Sequence, residues 1–293
     1  MARVPQSLAL GDLTGDGILD LAVASSFDRA VNVLSGNGDG TFASAAVYGA
    51  GRVTNLALDD LDQDGDRDVA AADTSGGMLV VLLNNGDGTL GSPTGYDPSM
   101  FPVGLALGDL DGDGDVDAAL SENGGDAIVT RLNAGAGSYV TGTRWPVGDN
   151  PQSVTMGDVD SDGDLDIATA NFDDATASLL INDGAAAFSS QAAYDTTGAR
   201  PTDVAFGDLD ATRSLDMMTA NDGGFNLSVW LNQCGPSTCP ADLDSDGDLT
   251  IFDFLAYQNL FDASDPTADF DADGRLTLFD FLAFQNAFDA GCP

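Results

Sequence analysis

Aspartates recur in this sequence at offsets that suit one kind of chemistry. Residues 109–117 read Asp109-Leu110-Asp111-Gly112-Asp113-Gly114-Asp115-Val116-Asp117, a nonapeptide of form D-x-D-x-D-G-x-x-D. Carboxylates at positions 1, 3, 5 and 9 (Asp109, Asp111, Asp113 and Asp117), with the main-chain carbonyl of position 7, can converge on one hard divalent cation. The glycine at position 6 permits the sharp reversal that convergence needs. Two carboxylates about 4 Å apart repel by roughly 4 kcal/mol at an effective dielectric near 20. A bound cation offsets that repulsion, and calcium, which prefers several oxygens in a flexible loop, is the expected ion.

The nonapeptide is one of five. Asp60, Asp62, Asp64 and Asp68 form the same set, as do Asp158, Asp160, Asp162 and Asp166. In the first copy Thr14 replaces the second carboxylate, leaving Asp12, Asp16 and Asp20, which predicts weaker binding. The fifth copy, Asp208 to Asp216, has Thr212 at position 5 and Arg213 in place of the turn glycine, so a guanidinium could substitute for the ion there.

Two longer loops lie near the C-terminus. Asp242 to Asp253 and Asp269 to Asp280 are dodecapeptides 27 residues apart. Their expected ligands are Asp242, Asp244, Asp246, Thr250 and Asp253, then Asp269, Asp271, Asp273, Thr277 and Asp280, with the carbonyls of Asp248 and Arg275 at position 7 and turns at Gly247 and Gly274. Each loop runs into a near-identical segment predicted as a helix, Phe252-Asp253-Phe254-Leu255-Ala256-Tyr257-Gln258-Asn259 and Phe279-Asp280-Phe281-Leu282-Ala283-Phe284-Gln285-Asn286.

Composition supports this assignment. The 293 residues carry 48 acidic side chains and nine basic ones, for a net charge of −39. Every acidic residue is Asp except Glu122, and every basic residue is Arg. Solubility alone does not favour Asp over Glu, whereas tight turns and converging ligands favour the shorter arm. Strong negative charge repels nucleic acid and anionic membranes, so neither is an expected partner. His and Lys are absent, which removes the usual general base and the Schiff-base amine. No enzymatic activity is expected.

The elements that position the nonapeptides follow from the repeat. Ser7-Leu8-Ala9-Leu10-Gly11-Asp12-Leu13 returns from residues 55, 104, 153 and 203, so the leading aspartates fall at 12, 60, 109, 158 and 208. Each repeat reads as short strands separated by turns; in the first they span roughly 7–11, 20–25, 30–35 and 43–48. Asn37-Gly38-Asp39-Gly40 and Asn85-Gly86-Asp87-Gly88 supply tight turns before the fourth strand. The second strand is apolar or small throughout, as in Leu21-Ala22-Val23-Ala24 and Ile167-Ala168-Thr169-Ala170, so both its faces should be buried. Four strands per repeat, stacked radially, describe a β-propeller; a β-solenoid is the alternative. The fifth repeat stops at Leu231-Asn232-Gln233, before its fourth strand, which leaves an incomplete edge or a ring with further blades upstream.

The recurring strand, loop, strand and turn over residues 7–233 resemble the FG-GAP/VCBS repeat family, which implies an integrin-like, calcium-binding propeller of extracellular adhesion or carbohydrate-binding type. The paired dodecapeptides resemble dockerin domains of the planctomycete type bracketed by Cys-Pro. That resemblance implies anchoring to a cohesin-like or other surface scaffold protein, with Ile251, Phe252, Leu278 and Phe279 as candidate contacts; Phe252 and Phe279 could instead fill the small core. The expected organisation is a mainly β chain: a propeller over residues 1–233, a linker over 234–240, and a small α-helical paired-loop module over 241–293.

Three cysteines flank that module. Cys239 with Cys292 and Cys234 with Cys239 are competing pairs, and either implies an oxidising compartment. The residues before the first repeat lack the features of a signal peptide, and the chain reads as the C-terminal part of a longer secreted precursor. The functional expectation is a calcium-binding adhesion or display scaffold, extracellular or at the cell surface, without membrane insertion. The alternative is a carbohydrate-binding or polysaccharide-degrading protein whose catalytic part lies outside this chain, with Trp145, Trp230 and Tyr194 as weak glycan-stacking candidates.

Overall fold

The computed structural model describes residues 4–96, 100–140, 142–190, 193–212, 214–232, 243, 251–263, 265, 268–270 and 275–290. Twenty strands and two helices follow in order. The first repeat holds β1 (Pro5–Gly11), β2 (Asp20–Ser25), β3 (Ala30–Leu34) and β4 (Ala46–Gly49), and the second β5 (Val53–Asp59), β6 (Asp68–Asp73), β7 (Met78–Leu82) and β8 (Thr94–Tyr96). The third holds β9 (Pro102–Gly108), β10 (Asp117–Glu122), β11 (Ala127–Arg131) and β12 (Thr143–Pro146). The fourth holds β13 (Pro151–Gly157), β14 (Asp166–Asn171), β15 (Thr176–Asn182), β16 (Phe188–Ser190) and β17 (Tyr194–Asp195). The fifth holds β18 (Pro201–Gly207), β19 (Asp216–Asn221) and β20 (Asn226–Trp230), and the C-terminal region α1 (Ile251–Asp262) and α2 (Leu278–Ala290). The chain divides into two compact units, Met1–Gly207 with Asp216–Trp230, and Asp208–Leu215 with Leu231–Pro293.

Each of the first four repeats is an antiparallel meander with strands paired in chain order, save that β17 in the fourth pairs with β15 beside β16. The fifth is a three-stranded sheet, β18-β19-β20, among the described residues. Register is uniform: the residue before each loop faces the ninth loop residue, as in Gly11 with Asp20, Asp59 with Asp68, Gly108 with Asp117 and Gly157 with Asp166. One irregularity near the start of strand one recurs in every sheet, between Pro5 and Ser7 in the first and between Pro151 and Ser153 in the fourth. The pattern is that of propeller-like blades, and first strands contact one another in the sequence β1, β5, β9, β13, β18.

Alternation along each strand sends one set of side chains toward the preceding blade and the other toward the following one. Between the first two blades, Ala22, Ala24, Val31 and Val33 meet Leu56, Val69, Ala71, Val80, Leu82 and Leu90. Between the next two, Ala70, Ala72, Leu79 and Val81 meet Leu105, Ala118, Leu120 and Tyr139. The second strands carry alanine on the face toward the following blade, and such small side chains let neighbouring sheets approach closely. The expectation that second strands are buried on both faces holds for β6, β10 and β14. It fails in part for β2, where Leu21 and Val23 are half-buried, because no described blade precedes the first.

The C-terminal unit has its own aromatic core. Tyr257 on α1 and Phe284 on α2 occupy the same position in the duplicated segments, and their rings stack with centroids 4.2 Å apart at 6°. Phe254 and Phe281, also equivalent, meet edge to face at 5.8 Å. Contact between equivalent residues is what a local two-fold arrangement of a duplicated helix produces. Among the described residues no helix is long and apolar enough to cross a membrane.

The blade faces yield a paired test. Leu56 is 4 % exposed, while Leu8, its counterpart in the first repeat, is 63 % exposed. Leu56→Ala should cost about 2–5 kcal/mol in urea unfolding of dilute protein, and Leu8→Ala no more than about 0.5 kcal/mol.

Candidate metal centres

The nonapeptides connect first strands to second strands, and their aspartates perform three separate tasks. Position 1 organises the loop itself. Asp12 accepts hydrogen bonds from the backbone N–H groups of Gly15 (2.8 Å), Asp16 (3.3 Å) and Gly17 (2.8 Å). Asp60 accepts from Asp64 and Gly65, Asp109 from Gly112 and Gly114, and Asp158 from Asp162 and Gly163. Backbone donors of this kind hold the Asp12 carboxyl below its ordinary range, the bond from Gly17 foremost. The turn needs left-handed backbone at position 6, met by Gly65 (φ 96°), and also at position 4, where Gln63 (φ 61°) and Ser161 (φ 64°) adopt it without being glycine.

Position 9 fastens the loop to the blade. Asp117 is fully buried; its Oδ2 accepts from the N–H of Leu110 (2.9 Å) and its Oδ1 from the N–H of Asn133 (2.7 Å), just beyond β11. Asp68 does the same with Leu61 and Asn84, and Asp166 with Val159 and Asn182. Asp20 follows with Leu13, Thr14 and Gly36. Desolvation outweighs these bonds, and Asp68, Asp117 and Asp166 are each pushed up to about 6.

Positions 1, 3 and 9 converge. Ligand oxygens of Asp60, Asp62 and Asp68 lie within 4.8 Å of one another, as do those of Asp109, Asp111 and Asp117, and of Asp158, Asp160 and Asp166. Position 5 stands outside this grouping. Asp64 and Asp113 each accept the N–H two residues on at 2.9 Å, as does Asp162, and Asp16 does so at 2.8 Å. The second oxygen of each position 5 carboxylate is not engaged in that bond.

Two observations fit a cation at these loops. Asp62, Asp111 and Asp160 are pushed up, first by desolvation and then by repulsion from the neighbouring aspartates, a penalty that a positive ion would remove. In the first loop Thr14 Oγ1 is buried with no hydrogen-bond partner, at the position that the other loops fill with a carboxylate. A metal ion could therefore be held by the Asp clusters, with Thr14 contributing in the first repeat.

The sequence pattern had not singled out the asparagine that closes each third strand. Asn84, Asn133 and Asn182 are buried, and their side chains cross to the preceding blade. Asn84 Nδ2 donates to the carbonyl of Leu13 (2.8 Å), Asn133 to that of Leu61 (2.8 Å) and Asn182 to that of Leu110 (2.9 Å). Each accepting carbonyl is position 2 of the preceding loop. The signal was present as the recurrent dipeptides Leu83-Asn84, Leu132-Asn133 and Ile181-Asn182, but only tertiary contact gives it meaning.

Several expected residues have other surroundings. Trp145 and Phe188 meet edge to face, as do Tyr194 and Trp230, and Trp145 Nε1 donates to Thr130 Oγ1 (3.0 Å). Trp145, Tyr194 and Trp230 are half-buried and pack in part against neighbouring blades. In the C-terminal unit Thr277 and Asp280 form a capping box at the start of α2. The N–H of Phe279 donates to Thr277 Oγ1 (3.1 Å), and Asp280 Oδ2 accepts the N–H of Thr277 (2.6 Å) while its Oδ1 accepts that of Phe270 (3.0 Å). Phe279 is 69 % exposed, so it does not fill the core. The side chains of Asp242, Asp244, Asp246, Thr250, Ile251, Phe252, Asp253, Asp271 and Asp273, with the three cysteines, lie outside the described residues.

Removing the inter-blade amide should be costly. Asn133→Ala removes the side-chain donor from the buried carbonyl of Leu61, while that of Val116 keeps the Tyr139 hydroxyl, and urea unfolding should show a loss of about 1–3 kcal/mol. The raised carboxyls set a pH dependence. Metal-stripped folded protein holds protons on Asp68, Asp117 and Asp166 that the unfolded chain releases between 3.8 and about 6. Their contribution to stability is present below that window and is lost as pH rises through it, because the folded state binds more protons. Asp12, Asp39 and Asp87, whose carboxyls are lowered, act below 3.8, outside the window. Urea midpoints of stripped protein should fall from pH 4 to pH 6.5, while metal affinity by calorimetry should rise over the same range.

Comparison with known proteins agrees with this architecture. No curated protein matches the chain. Its fold is similar to that of the periplasmic gluconolactonase of Pseudomonas aeruginosa, with a TM-score of 0.61 and 18 % identity over 80 % of this chain and 68 % of that one. A lectin of Agrocybe aegerita that recognises non-reducing terminal N-acetylglucosamine is similar at a TM-score of 0.51 and 18 % identity, again over 80 % and 68 %. Virginiamycin B lyase of Staphylococcus aureus is similar at 0.50 and 14 % identity, over 77 % and 69 %. The FG-GAP-like repeat matches residues 60–120, 109–169 and 158–219, which together exceed half of the sequence. By that match, and by the loop geometry that recurs through it, the chain belongs to the FG-GAP-like repeat family.

Proposed function

We propose that this protein is a non-catalytic, calcium-binding adhesion or display scaffold of the cell exterior, carried on its partner by the C-terminal paired-loop module. The observation that carries the reading is the recurrence of one buried and two more accessible carboxylates at the same three loop positions in successive blades. Oxygen-only donor sets on flexible loops suit calcium over softer metals. One site at a hundredfold excess of calcium over its Kd stabilises the folded state by about 2.7 kcal/mol, so several sites would govern whether the blades stay assembled.

The non-catalytic reading draws support from the fate of the acidic groups. The loop aspartates are committed to backbone donors and to one another. Glu122, the only glutamate, is buried, pairs with Arg144 and accepts the N–H of Met100 (2.8 Å), so it is not placed to exchange protons with a substrate. The anchoring role rests on the duplicated helices and on Leu278 and Phe279, apolar and exposed at the start of α2, where a cohesin-like module would dock.

Titration calorimetry of metal-stripped protein tests the proposal. Calcium should bind with heat, raise the thermal midpoint, and lose one site's worth of uptake in the double variant Asp109→Asn with Asp111→Asn. No uptake, or an unchanged midpoint after chelation, would sink it.

A further inference from the structure

Each bridging asparagine touches two candidate centres at once. The N–H of Asn133 donates to Asp117 Oδ1 (2.7 Å), position 9 of the third loop, while its Nδ2 donates to the carbonyl of Leu61 (2.8 Å), position 2 of the second. The N–H of Leu61 in turn donates to Asp68 Oδ2 (2.9 Å), position 9 of its own loop. A buried series of hydrogen bonds therefore runs from one position 9 carboxylate to the next. Asn84 continues it from Asp68 to Leu13 and Asp20, and Asn182 joins Asp166 to Leu110 and Asp117.

The second and third loops share a further link. Gln63, position 4 of the second loop, donates from Nε2 to the carbonyl of Gly114 (3.0 Å) and to Asp115 Oδ1 (2.8 Å) of the third. Asp115 is position 7, the residue whose carbonyl is an expected ligand, and Gln63 lies between the expected ligands Asp62 and Asp64. Position 4 is glycine in the first and third loops, Gly15 and Gly112. Gln63 takes the left-handed conformation there (φ 61°), which glycine adopts more cheaply, so the local backbone gives no reason for a glutamine.

Building on the calcium reading above, we propose that the second and third loops fill with calcium cooperatively, and that Asn133 and Gln63 are the positioning residues that couple them. Asp117, fixed at a filled third loop, keeps the N–H of Asn133 in place. The side chain of Asn133 then fixes Leu61, whose N–H Asp68 accepts, and Gln63 ties position 4 of one loop to position 7 of the other. Ordering met once is not met again by the second ion. Long-range charge acts the other way, because a filled loop is less negative and draws a second cation less strongly. Salt screens that effect far more than it does a buried series of hydrogen bonds.

Calcium titration of metal-stripped protein, followed by the amide NMR resonances of Gly65 and Gly114, reads the two loops separately, since these N–H groups donate to Asp60 and Asp109. The double variant Asp109→Asn with Asp111→Asn empties the third loop and removes two negative charges, as many as a calcium ion offsets, so its long-range field matches that of a filled neighbour. The Gly65 midpoint should then move to about fivefold higher calcium or more. Coupling is reciprocal, so Asp60→Asn with Asp62→Asn should move the Gly114 midpoint by the same factor. In Gln63→Gly and Asn133→Ala backgrounds the factor should shrink while both loops still fill; a merely structural role for either residue would lower stability and leave the factor unchanged. Should Asn133→Ala fail to fold, Gln63→Gly carries the test alone. A Gly65 midpoint indifferent to the third loop overturns the coupling and leaves the calcium reading standing, as does a factor that neither background reduces. Silence of both glycines at every calcium concentration overturns the calcium reading and this inference with it.

Discussion

A buried carboxylate at the end of each loop is the constraint on which the blades depend. Asp68, Asp117 and Asp166 each hold two backbone N–H groups, one from the loop's second residue and one from beyond the third strand. A neutral side chain could make one such bond; an ionised carboxylate makes both and then stands next to two more negative groups. Desolvation and repulsion oppose the hydrogen bonds, and the raised carboxyl values show that the bonds alone do not prevail. The loop is held in shape by a group whose charge is itself poorly accommodated. A cation at the cluster would resolve that conflict and would tie ion binding to folding as one equilibrium.

The asparagines extend the constraint from one blade to the next. The N–H of Asn133 is held by Asp117 in its own blade, and its side-chain amide is held by Leu61 of the preceding loop. Loop, third strand and neighbouring loop therefore form one hydrogen-bonded chain, repeated at Asn84 and Asn182. Since stability in repeat arrays is the sum of unit and interface terms, a bond that belongs to both couples them. The alanines of the second strands serve the same end by packing, because small side chains on the trailing face let the bulkier leucines and valines of the next leading face fill the gap.

The C-terminal unit applies the same residue types differently. Thr277 and Asp280, expected from their spacing as ion ligands, occupy the N-cap and N3 positions of a helix. One spacing serves both, since a capping box and the end of an ion-binding loop each require an oxygen that reaches back by three residues. The stacked pair Tyr257 and Phe284 shows that duplication in sequence became contact between copies in space.

Much of this protein was legible in its residues. The repeat, the strand positions, the loop boundaries and the choice of Asp over Glu follow from local rules of turn geometry and ligand reach, which act within about a dozen residues. What crosses from one repeat to another was not. Leu8 and Leu56 sit in the same local pattern, yet Leu56 is covered by the blade before it while no described blade lies against Leu8. Trp145 and Trp230 each meet an aromatic of another strand edge to face, a contact no local pattern announces. One oxygen of each position 5 aspartate accepts a backbone N–H, a partner that only the folded loop reveals. Local spacing decides which chemistry a loop can offer; only the packing of sheet on sheet decides which groups are buried, bridged or left exposed.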